Sequence, residues 1–208
     1  MTLTKIVITL KSAATFGRGD GVAGLVDREI EHDAKGFPFL RGKTLKGLLA
    51  ESAENVVFAL GNAEEWRKAK NDLFGTSGRG LKERGSLHID DAQLPASLRA
   101  AVSAEELSKE DVLYSLTGIR RQTAVNEFGA PDHATLRSMR VLLPGVTIEA
   151  ALSFDRDPSP QELQLLAAAV LDLRRAGTGR NRGRGWLAVE LENEVFTKSL
   201  FEQMAGGV

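Results

Sequence analysis

Cysteine is absent from all 208 residues, which excludes a disulfide frame and a thiolate metal site. That usage suits a reducing cytoplasm, and a cytoplasmic protein is expected. Histidine is nearly as scarce. His32, His88 and His133 are scattered, fit surface or hydrogen-bonded roles, and argue against acid–base work by a histidine pair. No His-x-x-x-His spacing marks a metal site. No apolar run approaches the ~20 residues a membrane span needs. The start, Met1-Thr2-Leu3-Thr4-Lys5-Ile6, lacks the apolar stretch of a secretion signal. Net charge is also small, −1 with a pI of about 6.3. The chain as a whole is therefore no generic polyanion binder, and any nucleic acid must meet local basic clusters.

One such cluster is present. Residues 174–186 read Arg-Arg-Ala-Gly-Thr-Gly-Arg-Asn-Arg-Gly-Arg-Gly-Trp, so five arginines and four glycines share thirteen positions. Glycine lets backbone approach a ligand closely. Arginine offers a planar fork of donors that matches phosphate oxygens in pairs. The alternation of Arg180, Arg182 and Arg184 with small residues keeps the loop compact and points charge outward. A flexible charged turn is the plain alternative, and a polyanion is the natural partner. A second basic group, Arg41, Lys43 and Lys46, brackets the start of a helical pattern. Cations there oppose the helix dipole, so either they solvate the first turn or an anion sits at that end.

The hydrophobic fraction, 42%, supports a real core, and the length suits one large domain or two small ones. Residues 3–11 alternate as a first strand, with Ile6, Ile8 and Leu10 on one face. Residues 12–35 form a long glycine-punctuated acidic loop carrying Asp20, Asp27, Glu29, Glu31 and Asp33, and a loop of that length is functional or disordered. Helical periodicity follows over 44–60, then a short polar surface helix over 63–72. A strand is expected over 85–92, a polar linker with one helical turn or two over 95–109, and a projecting basic hairpin or loop over 111–133. Two strands, 137–143 and 147–154, meet at the turn pair Pro144-Gly145. An apolar helix with Pro160 in its first turn runs over 160–175, and a last strand over 186–195. The order strand, helix, strand, strand, helix, strand predicts an α+β chain. Its core is a ferredoxin-like (RRM-like) βαββαβ sheet with inserted loops, the architecture of RRM-type RNA binders.

Four pieces stand in a fixed order. They are Gly24-Leu25-Val26-Asp27; Phe37-Pro38-Phe39-Leu40-Arg41-Gly42-Lys43-Thr44-Leu45-Lys46-Gly47; Leu73-Phe74-Gly75 with residues 85–92; and residues 177–185 of the glycine–arginine loop. Each alone is weak, but together they resemble the RAMP superfamily of CRISPR-associated proteins, and most closely the repeated backbone subunit of type III effector complexes. The resemblance covers residues 3 to about 191. It implies a single modified RRM-like domain over 1–208 with a thumb at about 111–133. It also implies binding of a guide RNA along a filament of subunits and, in some members, metal-dependent cleavage of target RNA. Asp27 matches the aspartate that cleaving members need, and a divalent cation, Mg²⁺, would serve that step. Expected RNA contacts are Arg41, Lys43, Lys46, Arg120, Arg121, Arg180, Arg182 and Arg184. Expected partners are guide RNA, target RNA, other effector subunits, and copies or paralogues of the chain stacked head to tail.

This chain departs from the family where Arg41 stands in place of a proline, which leaves the subunit position open. On the residues alone, Asp27 is as readily a turn carboxylate, and Asp33 is an equally polar rival. Trp186 and Phe128 are candidates for base stacking, although a tryptophan opening a strand is more often core. A non-catalytic scaffold or capping subunit is the alternative function. A stand-alone RRM-like binder is a third.

Overall fold

Alternation in the first strand carries through to burial: Ile6, Ile8 and Leu10 are buried while Lys5, Val7 and Thr9 are half-buried. The computed structural model describes residues 3–76, 84–124, 127–130 and 135–206. Along the chain these form β1 (Lys5–Leu10), α1 (Gly42–Ala59), α2 (Glu64–Phe74), β2 (Leu87–Ile89), α3 (Ala96–Ala104), α4 (Lys109–Leu116), β3 (Thr117–Gln122), β4 (Arg137–Leu142), β5 (Thr147–Phe154), α5 (Pro160–Asp172), β6 (Leu187–Leu191) and α6 (Glu194–Ala205).

Four strands make an antiparallel sheet in the order β2-β5-β1-β6. With α1 and α5 this gives the expected succession of strand, helix, strand, strand, helix, strand. One sheet face buries Ile6, Ile8, Leu10, Ile148 and Leu191 in a core shared with Leu45 and Leu49 of α1 and Leu166 and Val170 of α5. Each such side chain contributes roughly 1.5–3 kcal/mol. α5 starts sharply because Ser159 and Glu162 form a capping box and Pro160 occupies the first turn.

Several expectations change. The helix expected to be polar and superficial, α2, buries Trp66, Ala69 and Leu73. Trp66 and Ala69 sit in a second core with Val57, Leu165 and Met204, so the polar sequence hides a three-residue apolar stripe. The helical turn or two expected within the linker 95–109 extends to the nine-residue helix α3. The segment expected as a projecting hairpin begins instead as α4, held by a Ser108–Asp111 capping box, and only then becomes β3. The strand at 137–143 is present, but it pairs with β3 rather than with β5. Pro144-Gly145 therefore carries the chain from this hairpin into the main sheet. The last strand stops at Leu191, where Glu192 takes a positive φ of 56°, and Asn193 caps α6. Of the expected thumb, residues 125–126 and 131–133 lie outside the described residues. Among the described residues, no helix is long and apolar enough to cross a membrane.

Candidate functional site

The acidic loop is packed, not free. Phe16, Val26 and Ile30 are buried in it. Arg28 donates its N–H to the Ser138 carbonyl at 3.2 Å, and Arg140 N–H donates to the Arg28 carbonyl at 3.0 Å. One residue bonding to both neighbours of its partner is the parallel-strand pattern, and Arg28 indeed faces Met139 in a parallel bridge. The loop thus adds a third, parallel edge to the β3–β4 hairpin. Side chains two apart share a face, so Asp27 and Glu29 meet Ser138 and Arg140 in register. Glu29, 2% exposed, accepts from Arg140 Nε at 2.7 Å.

Asp27 is the exposed member of this row. Its N–H donates to the Ser138 carbonyl at 3.0 Å, and its Oδ2 accepts from the Ser138 N–H at 2.6 Å and the Ser138 hydroxyl at 3.0 Å. Those bonds, the backbone one first and the hydroxyl second, hold the carboxyl below its ordinary value, with a smaller contribution from Arg137. Asp33, the rival, does different work. Its Oδ1 accepts from the N–H groups of Lys35 and Phe37, and its Oδ2 pairs with Arg99 at 3.2 Å. It shapes the turn that ends the loop.

The glycine–arginine loop reaches the same place. Arg180–Arg182 form one 3-10 turn. Its ends are clamped against residues 13–15 by Gly185 N–H on the Ala13 carbonyl at 3.0 Å and Thr178 N–H on the Thr15 carbonyl at 2.9 Å. Gly185 has φ of 64°, and a Cβ there would lie 1.8 Å from the Ala176 carbonyl oxygen, so no other residue fits. A cleft of about 470 Å³ opens between this loop and β4, lined by Asp27, Arg28, Arg137, Arg180, Arg182 and Arg184. Arg184 rests its guanidinium on Met139 Sδ at 3.0 Å. Burial first, then the positive charge of Arg120 and Arg182, lowers its pKa, so Arg120, Arg182 and Arg184 form one cationic group.

The other expected contacts are dispersed. Arg180 spends Nη2 on both oxygens of Glu51, each at 2.9 Å. Arg41 pairs with Glu31 at 2.6 Å and shares a cleft of about 420 Å³ with Arg180. Lys43 lines a separate cleft beside Asp90 and Asp91. Lys46 donates to the Leu87 carbonyl at 2.6 Å, and burial, then Arg84, lowers its pKa. Lys43 and Lys46 thus line neither of the clefts that hold the loop arginines, whereas Arg41 meets Arg180 in one of them. The anion at that helix end is the chain's own Asp91, which accepts from the Gly42 N–H at 2.7 Å. Arg121 and Phe128 are exposed on the hairpin side. Trp186 is 51% exposed with Arg175 over its ring at 5.6 Å, so it is no core residue.

His32 bonds the Asp33 carbonyl, His88 bonds Asp155, and His133 lies outside the described residues. Among the described residues no three His, Cys, Asp or Glu side chains gather as a metal site. Sequence reasoning passed over Ser138, Arg28 and Arg137. Their signal was faint: a serine and two arginines on short segments, given meaning only by the pairing of loop and β4.

The family model of the RAMP superfamily matches residues 7–188. No curated protein matches. Among solved structures, the chain is similar to one from the Type III-B Cmr-beta complex bound to cognate target RNA, seen by cryo-EM. Identity is 11%, TM-score 0.66, and 95% of this chain and 98% of that one are covered. A chain of the Type III-B Cmr-beta complex in its apo state is similar at 12% identity and TM-score 0.63, over 92% and 98%. With 182 consecutive positions spanned by the family model, from 7 to 188, the chain belongs to the RAMP superfamily.

Proposed function

We propose that this chain is a guide-RNA-binding backbone subunit of a type III CRISPR effector complex and that Asp27 stands at the cut in complementary target RNA. The observation that carries the reading is the cleft that sets one exposed carboxylate, Asp27, among Arg28, Arg137, Arg182 and Arg184. A carboxylate repels phosphate, so it adds nothing to binding RNA. The arginines around it neutralise phosphate and hold the strand without reading sequence. The fold shared with chains of the Cmr complexes supports the same setting.

In this reading the Asp27 carboxylate accepts a hydrogen bond from a target 2′-hydroxyl and turns its oxygen toward the adjacent phosphorus. That oxygen bonds to phosphorus as the 5′-oxygen leaves, and the arginines meet the charge that builds on the phosphoryl oxygens. The lowered pKa makes Asp27 a weak base. Its share is orientation more than proton removal: the 2′-hydroxyl proton passes to water, and the leaving 5′-oxygen takes a proton from water. Among the described residues the expected Mg²⁺ finds no donor set of its own: Asp27 is the single carboxylate of a cleft otherwise lined by arginines and uncharged residues.

A non-catalytic scaffold is the second reading, favoured by one fact: Asp27 already has a structural job, tying the loop to Ser138. In both readings the partners are guide RNA, target RNA and other effector subunits, with copies or paralogues stacked head to tail in a cytoplasmic complex. Reconstitution with a guide and partner subunits, followed by addition of complementary and unrelated RNA, separates the two. Cuts in the complementary strand alone support the first; full binding without cuts supports the scaffold.

A further inference from the structure

The bonds to Asp27 converge on a residue that no sequence motif marks. Oδ2 takes two hydrogen bonds, both from Ser138, at 2.6 and 3.0 Å. The Ser138 hydroxyl also accepts from the Asp27 N–H at 3.2 Å. Two acceptor sites of one oxygen are thereby filled, the χ angles of Asp27 are fixed, and Oδ1 bonds no other described side chain. An exposed aspartate ordinarily samples several rotamers. Here its direction is set by β4, 111 positions away in sequence, and not by its own loop.

The anchor is itself rigid. Ser138 shares a face of β4 with Arg140, whose guanidinium bonds Glu29 at 2.7 Å and the Thr117 hydroxyl at 3.2 Å. The Arg140 carbonyl accepts from the Thr15 hydroxyl at 3.0 Å. Loop, β3 and β4 are thus tied together beside the serine, through Arg140.

We propose that Ser138 is a positioning residue that aims the Asp27 carboxylate into the arginine-lined cleft. This rests on the reading of Asp27 as the carboxylate at the cut. Loss of a hydroxyl that only tied down the loop would shift the carboxyl's titration and leave the cutting rate on the pH plateau unchanged, whereas loss of a positioning hydroxyl slows cutting at every pH. The charged groups facing Asp27 are Arg28 on its own loop, Arg137 on β4, and Arg180, Arg182 and Arg184 on the glycine–arginine loop. All are arginines, and Asp27 is the one carboxylate among the residues that line the cleft, so a moved acid limb reports Asp27.

Ser138→Ala removes both bonds made by the hydroxyl and keeps both backbone bonds between the two residues. In the assembled complex it is expected to slow single-turnover cutting by roughly 10–10²-fold with target binding unchanged. It is also expected to move the acid limb of the pH–rate profile to higher pH, and ¹³C titration of the Asp27 carboxyl in the full chain should move the same way. Ser138→Thr, which retains the hydroxyl, restores all three. Should Ser138→Ala fail to fold, the isosteric pair Ser138→Thr and Ser138→Val isolates the hydroxyl on a β-branched frame suited to a strand. A wild-type plateau rate in Ser138→Ala or Ser138→Val, beside a dead Asp27→Ala, overturns the positioning role alone. Wild-type cutting by Asp27→Ala overturns the catalytic reading and this proposal with it.

Discussion

Arg140 Nε donates to Glu29 Oε1 at 2.7 Å, and the pair is almost wholly withdrawn from water, with side-chain exposures of 11% and 2%. It joins the acidic loop to β4 beside the Asp27–Ser138 pair, and it converts a glycine-punctuated loop into a structured edge. Removing one partner strands the other's charge. Arg140→Ala is expected to lower stability by about 3–5 kcal/mol in denaturant unfolding. Glu29→Gln with Arg140→Met should recover part of that loss, since no uncompensated ion then remains.

Gly185 tests whether loop shape or loop charge matters. A Cβ would meet the Ala176 carbonyl oxygen at 1.8 Å, against a φ of 64°. Gly185→Ala is expected to destabilise the chain by well over the ~1 kcal/mol typical of a tolerated glycine change, and to weaken RNA binding although no cation is removed. Calorimetry together with a binding titration would show both effects. Unchanged melting would contradict the geometry.

The basic residues should divide by salt dependence. Arg182→Ala and Arg184→Ala are each expected to reduce the slope of log affinity against log salt by about one for every phosphate that the arginine neutralises. Lys46→Met should leave the slope unchanged and lower stability instead, because its ammonium is committed to the Leu87 carbonyl. A salt titration of guide binding on the three variants makes the comparison.

How far the sequence foretold this site varies by element. Strict alternation revealed β1, because period-2 burial is a local property, and Pro160 with Ser159 and Glu162 marked the start of α5 in the same local way. The partner of β4 was not legible, since alternation tells which face is buried but not which strand lies alongside. α6 was missed because the apolar alternation of β6 runs on past Leu191, where only Glu192 and the Asn193 cap break it. At the site, Asp27 and the loop arginines were visible as residue types in a pattern. Ser138 and Arg140 were not, because their roles exist only once residues 111 positions apart are brought into register.

Acid should loosen the molecule at the start of α5. Burial opposes ionisation of Glu162, but bonds from Arg156 and from the N–H and hydroxyl of Ser159 outweigh it, and its pKa falls below the ordinary 4.5. A lowered folded value contributes stability that is present above about pH 4.5 and is lost as the pH falls through the folded value. Glu162→Gln should therefore show a shallower loss of stability on acidification. Ser159→Ala should cost about 1 kcal/mol at neutral pH. Denaturant midpoints at neutral and acid pH would read both.

The catalytic role of Asp27 stands or falls on the single-turnover rate at which Asp27→Ala cuts complementary RNA in the assembled, guide-loaded complex, beside Asp33→Ala. Asp33 is bonded to Lys35, Phe37 and Arg99 and lies outside the arginine-lined cleft, so its variant should lose stability and keep cutting. Asp27→Ala should bind guide and target as before and lose at least ~10²-fold in rate. Cutting by Asp27→Ala at the wild-type rate would refute that role.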